Sequence, residues 1–329
     1  MANSASSVKI DDVQLALNRQ AKRKELLTQI LPFSGLVLLL VLFSAVSGGM
    51  FLSGTNLENL INQCFQVTIV AVGAAFIYAA GMMDMSIGGV SAVAMLLIGI
   101  LMRDYQISAW LAVLLAMVIA TAFTMITALV HVALRVPVFV GSLCVMNICN
   151  GIAATLTSEN EIYIDYQHYS SANSTTLKLI VLVVVFAVAW IIFNYTRLGK
   201  DLKALGGNPV SAVMSGVRRN KTIILAFVVI GCCLGLNAFF SLVRVGMASA
   251  SSGTSLQMNI MTAVVLGGFP LSGGARSKMY GPIIGALTVT VLLNGIQLLG
   301  FDPAWGVVAK GALFLAVVGM TYERTKYVS

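Results

Sequence analysis

The chain has 329 residues, 58% of them apolar and 10% charged, with a mean hydropathy of +0.93. Soluble globular domains carry about 25% charged residues, so a soluble fold is excluded. Disorder is excluded with it, because disordered chains are poor in apolar side chains. A net charge of +8 and a pI of 9.4 would suggest nucleic acid in a soluble protein. Here the basic residues lie between apolar runs, the positive-inside pattern of a membrane protein, and no nucleic-acid partner is expected.

In chain order, residues 1–28 read as a cytoplasmic segment whose residues 10–28 form an amphipathic helix. Asp11 or Asp12 would cap it, and the basic stretch from Arg19 to Lys24 would sit near the membrane. No cleavable signal peptide is expected, since the first apolar run has no small-residue cleavage site after it. A span needs about 20 mostly apolar residues. The runs that qualify are 29–49, 60–81, 85–102, 110–134, 137–157, 177–195, 222–243, 280–299 and 304–321. A tenth, 256–269, is too short to cross as a straight helix and reads as a half-helix or one that starts earlier. Lipid offers the backbone no hydrogen-bond partner and no alternating barrel strands are visible, so every span must be helical.

Loop charge sets the orientation. Segment 1–28 carries a net +2 and loop 196–221 a net +5, whereas loop 158–176, with Glu159, Glu161 and Asp165, carries −3. The first two are therefore cytoplasmic and the third external. The sequence thus predicts an all-α polytopic transmembrane helix bundle of about ten spans, eight or nine being the alternatives, with both termini cytoplasmic. Its parts are the N-terminal segment 1–28, the membrane domain 29–321 with a cytoplasmic loop at 196–221, and a cytoplasmic tail 322–329. Asn173-Ser-Thr on the outer loop matches a glycosylation acceptor, which matters only in a secretory-pathway host.

Chemistry-bearing patterns are missing. There is no G-x-x-x-x-G-K-[ST], no H-E-x-x-H and no G-x-S-x-G, so neither nucleotide hydrolysis nor any other catalysis is expected of this chain. Cys64, Cys144, Cys149, Cys232 and Cys233 lie in or at the edge of apolar runs without metal-ligand spacing, and read as small packing residues. His131 reads as a structural hydrogen-bonding residue, far from His168. No chain of carboxylates runs along the spans.

Two places interrupt the apolar runs with glycine and polar residues: Gly81-Met-Met-Asp84-Met-Ser86-Ile-Gly88-Gly89 and Gly267-Gly268-Phe-Pro270-Leu-Ser272-Gly273-Gly274. Such breaks free backbone groups that only a protein-lined or water-filled site satisfies, and breaks in both halves of a chain point to a transport pathway built on internal repeats. Asp84 is a functional candidate as an intramembrane acid; its ordinary role would be to cap the helix from 85, which is compatible with a place beside the pathway. A third segment is cytoplasmic, a helix followed by Gly206-Gly207-Asn208-Pro209 and a short helix that starts at Pro209 and ends at Gly216. With Ser211, Ala212 and Ser215 expected on its surface, it suits docking into a partner's groove.

At these residues the chain resembles the permease subunit of bacterial sugar ABC importers of the ribose, xylose, galactose and autoinducer-2 type. That family's Gly-x-Asp-Leu-Ser-Val-Gly pattern is matched at Gly81 to Gly88, with one extra residue after the glycine. Its cytoplasmic segment is matched at Thr196, Gly199, Lys200, Ala204, Gly206, Gly207, Asn208, Ser211, Ala212, Ser215, Gly216 and Val217. Ala263-Val-Val-Leu-Gly267-Gly268, Leu271-Ser272-Gly273-Gly274, Gly281-Pro-Ile-Ile-Gly285-Ala286 and Asn294-Gly-Ile-Gln-Leu-Leu-Gly300 match its later motifs. The matches run in order over roughly 60–320.

The resemblance implies a multi-pass protein of the bacterial inner membrane working as a homodimer or with a paired permease. It implies an ATP-binding-cassette ATPase inside, carrying ATP and Mg, a periplasmic sugar-binding protein outside, and no cofactor in this chain. It makes Gly206, Gly207, Asn208, Pro209, Ser211, Ala212, Ser215 and Gly216 the coupling helix received by the ATPase. Where the family has an acidic residue before Ala263, this chain has Gln257-Met-Asn259, and where it has Arg-Gly this chain has Asn150-Gly151. Asn147, Asn150, Gln257 and Asn259 are neutral donors and acceptors that suit an uncharged hydroxylated solute. With Asp84, Ser86, Gly267, Gly268 and Ser272 they make the expected pathway set. The alternatives are an ion-coupled secondary transporter, which would work without an ATPase, and a membrane enzyme acting on lipid, for which no nucleophile or metal cluster is present.

Overall fold

The computed structural model of the protein describes residues 32–158, 160–270 and 272–321. The expected amphipathic segment 1–28 and tail 322–329 lie outside them. The helices are α1 (Pro32–Val46), α2 (Gly54–Ala79), α3 (Ile87–Tyr105), α4 (Ala109–Leu134), α5 (Val138–Leu156), a single turn α6 (Tyr166–Tyr169), α7 (Thr175–Tyr195), α8 (Arg197–Gly207), α9 (Pro209–Met214), α10 (Arg219–Val245), α11 (Thr254–Leu266), α12 (Tyr280–Leu298) and α13 (Pro303–Thr321). Among the described residues α2, α3, α4, α5, α7, α10 and α12 are long and apolar enough to cross a membrane, and α1, α11 and α13 are shorter apolar helices. The described residues therefore hold ten apolar helices at the ten expected places, the run 256–269 giving the shortest, Thr254–Leu266.

Small residues let the central helices touch. Ala112, Ala116, Ala120, Thr124 and Ala128 recur every four residues along α4 and are fully buried. Gly231 and Gly235 of α10 face that stripe: a Cβ on Gly231 would lie 2.5 Å from the Thr121 Cα, and one on Gly235 would strike the Met117 backbone. Thr124 Oγ1 donates across the seam to the Phe227 carbonyl at 3.1 Å. Without water, apolar burial gives no drive between helices, so close backbone approach and such bonds hold them together. Gly73 of α2 packs in the same way on Cys233 of α10, a Cβ there lying 2.8 Å from the Cys233 Cβ. Cys233 is thus a packing residue, and all five cysteines are free.

The packing partners reveal an internal repeat. α4 packs on α10 as α12 packs on α2, α3 on α10 as α11 on α2, and α3 on α5 as α11 on α13. Exchanging α2–α5 with α10–α13 preserves these pairs. Four crossings, α3, α4, α5 and α7, lie between α2 and α10, so alternation runs the two sets in opposite directions, the inverted repeat common among transporters. At the end of the bundle away from α8 and α9, Ile162–Tyr163 pairs antiparallel with Met247–Ala248, clasping the loop after α5 to the end of α10.

Candidate functional site

The first break runs from Ala80 to Ser86 and enters the bundle. Gly81 turns the chain out of α2 with a φ of 71°, and α3 begins at Ile87 rather than 85, because side chains hold the intervening backbone open. Met85 N–H donates to Ser142 Oγ of α5 at 2.9 Å. Asp84, with 0% exposure, accepts at Oδ1 from the Ser86 N–H at 2.7 Å and the Ser86 hydroxyl at 2.6 Å. These bonds form a side-chain turn onto Ser86, the residue that precedes α3, and lie inside the protein.

α3 and α11 both begin inside the bundle, where they abut. A Cβ on Gly88 would lie 2.6 Å from the Gly253 carbonyl oxygen, and one on Gly253 would strike the Gly88 carbonyl. Gln257, in the first turn of α11, donates from Nε2 to the Asp84 carbonyl at 2.9 Å. Asp84, Ser86 and Gln257 therefore form one buried cluster. Under the repeat, the counterpart of 80–86 is 246–253, not the second glycine break. The sequence hides that counterpart because Ser249-Ala-Ser251-Ser252 reads as an ordinary polar loop.

The second break, from Gly267 to Met279, follows the early end of α11. Gly267 and Gly281 meet backbone to backbone, a Cβ on Gly281 lying 2.6 Å from the Gly267 carbonyl oxygen. Gly268, half-buried with a φ of 73°, turns the chain. The exposed Ser272 turns its carbonyl toward Gly81, where a Cβ would come within 2.6 Å of it. Gly274 N–H donates to the Ala79 carbonyl at 2.9 Å, and Gly206, near the end of α8, wedges against both: a Cβ there would strike the Ala79 carbonyl and lie 2.5 Å from the Gly274 nitrogen. The end of α2, the second break and the cytoplasmic segment thus converge on one glycine-lined junction. A Cβ on Gly207, one residue later, would meet nothing within 4 Å.

Beyond the junction the chain turns at Asn208, whose Oδ1 accepts the Val210 and Ser211 N–H groups, each at 3.1 Å, and starts α9. Gly216, with a φ of 89°, ends the unit, and Val217 N–H closes back on the Ala212 carbonyl at 3.1 Å. The expected helix–turn–helix is present, with Ser211 and Ser215 exposed and Ala212 departing from the expected outer face. Ala212 points inward, whereas Val210, Val213 and Met214 are exposed, Met214 by 86%. Six residues at helical spacing place position 212 against the body and its flanking apolar positions outward. Arg218, Arg219 and Lys221 border a shallow cleft beside Val213 and Val217. His131 lies nearby, bonded through Nδ1 to the Val136 carbonyl at 2.7 Å and through Nε2 to Arg219 at 3.3 Å, which is a structural role.

The remaining expected residues lie apart. Asn147 and Asn150 are exposed on α5, Asn147 bonding its own helix at the Leu143 carbonyl. Asn147 belongs to a small and polar stripe of exposed residues with Cys144, Gly151, Ala154 and Thr155, whereas Asn150 Oδ1 lies beside α3, 3.3 Å from where a Cβ on Gly89 would sit. Asn259 accepts a hydrogen bond from Lys310 Nζ of α13. Lys310 is 5% exposed and is absent from the expected set, although a lone lysine in the apolar run 304–321 was its signal. Lys178 is likewise buried and donates to Asn62 and Asn173. Asn173 is therefore engaged at Oδ1, and its Nδ2 bonds the Tyr166 hydroxyl at 3.0 Å, so the acceptor motif is occupied structurally. Among the described residues no group of three His, Cys, Asp or Glu is placed to hold a metal.

Comparison with known proteins gives this arrangement a context. The ribose import permease of Escherichia coli strain K12 is 29% identical over 298 residues, covering 86% of this chain and 91% of that protein. The ribose import permease of Bacillus subtilis strain 168 is 27% identical over 295 residues, covering 87% and 90%. The galactose/methyl galactoside import permease of Escherichia coli strain K12 is 26% identical over 339 residues, covering 92% and 98%. No solved structure matches the chain. The family described as the permease component of the branched-chain amino acid transport system matches residues 56–318. That span takes in both breaks, the glycine junction and α9, and the chain belongs to this family of membrane permease components.

Proposed function

We propose that this chain forms the translocation pathway of an ATP-driven importer for a sugar or similar polyhydroxylated solute in the bacterial inner membrane. The family's description names branched-chain amino acids, but the similar proteins over nearly the whole chain are named for ribose, fructose and galactose, which favours a sugar. The observation that carries the mechanism is the junction at Gly206. α9 presents an apolar face rimmed by Arg218, Arg219 and Lys221 to the cytoplasm, where a separate ATPase subunit, holding ATP and Mg, would receive it. α8 is a stiff lever from that face to the junction, its Gly199, Leu202 and Leu205 buried against the body. Displacement of α9 is handed at Gly206 to the end of α2 and to the second break together, because no space separates the three backbones. Both breaks border α11, so α3 and α11 would be re-aimed against each other and the pathway switched between its two openings. Such coupling requires that ATP and the loaded binding protein favour different states.

A second permease copy would cover the α5 stripe. Lipid does not solvate Asn147, and small residues at a helix face favour close approach of another helix. A periplasmic sugar-binding protein would deliver solute at the opposite face, beside Ile162–Tyr163, with both chain termini on the ATPase side. Purifying the tagged protein from native membranes in mild detergent tests the assembly. A P-loop ATPase and a periplasmic sugar-binding protein should co-purify, and reconstituted vesicles should take up the binding protein's sugar only with ATP. Uptake driven by an ion gradient without the ATPase would overturn the reading.

A further inference from the structure

Two oxygen atoms in the first buried cluster have no hydrogen-bond partner: Asp84 Oδ2 and Gln257 Oε1. Their environment is specific. Gln257 is anchored, since its Nε2 donates to the Asp84 carbonyl, so the amide cannot turn its N–H₂ toward the acid without losing that bond. Asp84 is anchored too, with both bonds from Ser86 falling on Oδ1 and none on Oδ2. An ionised carboxylate and an amide oxygen are both acceptors, and leaving either buried and unmatched costs about 1–3 kcal/mol. Among the described residues Asp84 has no ion-pair partner, the ion pair there being Arg103 with Asp104. The titratable groups within electrostatic reach of Asp84 are Tyr78 of α2 and Cys149 of α5, and neither carries positive charge in any state.

We infer that Asp84 carries a proton on Oδ2 at neutral pH and donates it to Gln257 Oε1. One hydrogen atom then satisfies both oxygens, and the carboxylic acid enters the interior uncharged. Asp84 becomes an uncharged latch, accepting from Ser86 at one oxygen just ahead of α3 and donating at the other to hold the first turn of α11. A glutamine at 257 fits this use, because it accepts at one atom while donating at the other. Movement of α11 away from the 80–86 loop would break the latch and expose the carboxyl.

Infrared spectroscopy of the whole purified protein at pH 7, in a maltoside detergent that has no carbonyl group, tests this directly. The other described carboxyl groups, Glu58, Asp104, Glu161, Asp165, Asp201 and Asp302, are exposed or half-buried, so a protonated-acid carbonyl stretch at this pH would come from a buried acid. The band should be present, should vanish in Asp84→Asn, and should move in Gln257→Leu to the position of an acid without an acceptor. If Asp84→Asn does not fold, carboxyl-¹³C aspartate labelling of the unaltered protein assigns the band by its isotope shift. Absence of the band means an ionised Asp84 and overturns the inference. A band that Gln257→Leu leaves in place overturns the bond to Gln257. Neither readout depends on which solute is carried, so its failure is distinct from failure of the transport reading.

Discussion

The two interruptions of the apolar helices are held in opposite ways. Residues 80–86 are fixed by side chains: Asp84 on Ser86, Ser142 on the Met85 N–H, Gln257 on the Asp84 carbonyl. Residues 267–279 are fixed largely by backbone approach, with Gly267 on Gly281, Gly273 and Gly274 on the end of α2, and Gly206 wedged beside them. The first resists changes of shape poorly and changes of chemistry worse. The second depends more on volume than on chemistry, since its closest contacts are backbone to backbone. A lever acting on the second therefore meets a hard contact, and what that contact moves is a set of directional hydrogen bonds.

The contrast breaks most visibly at Gly206. Gly206→Val adds three carbons where even a Cβ strikes the Ala79 carbonyl, and overpacking costs about 1–3 kcal/mol, occasionally more. The melting temperature of the purified protein should fall the furthest of any variant here; an unchanged melt would mean the junction opens freely. Next comes Asp84→Leu, which strands the Ser86 N–H and hydroxyl in the interior and should cost about 1–3 kcal/mol. Its melt should drop while Asp84→Asn, which keeps an acceptor for Ser86, stays close to the unaltered protein.

A smaller effect is expected at Asn259 and Lys310. Asn259→Leu leaves a buried ammonium with no acceptor and should cost about 1–3 kcal/mol. Lys310→Met removes the charge itself, and replacing buried ionic groups by apolar ones of similar volume is often neutral. The double variant should therefore melt above Asn259→Leu, and equal or additive losses would show that the pair does not act as a unit. The least effect on stability belongs to Gly207→Trp, within about 0.5 kcal/mol as for an open surface site. Because the indole would stand beside α9, ATP hydrolysis should no longer drive uptake. Normal coupling in that variant would remove α9 from the docking role.

Much of this was legible in the sequence. Ten apolar runs became ten apolar helices, the short run 256–269 became a short helix, and Asn208-Pro209 with Gly216 marked a six-residue helix. These are local signals, carried by hydropathy and turn chemistry. What was illegible is non-local. Nothing in the string around Gly206 says that Ala79 and Gly274 will close on it, since close backbone approach leaves no periodicity. The inward turn of Ala212 was hidden for a related reason: on a six-residue helix, orientation is decided by the body it rests against. Lys310 was visible as an oddity, but its partner Asn259 lies 51 residues earlier and only the packing of α11 on α13 pairs them.

The exposed stripe on α5 has a practical consequence. Of the five free thiols, Cys144 alone is exposed; Cys64, Cys149 and Cys233 are buried and Cys232 is half-buried. A membrane-permeant maleimide applied to the unaltered protein would therefore act as a reporter of whether that strip is open, closed or covered. Labelling slowed by a neighbouring copy, or changed between the nucleotide-loaded and nucleotide-free complex, would turn a packing detail into a clock for the transport cycle without introducing a single foreign residue.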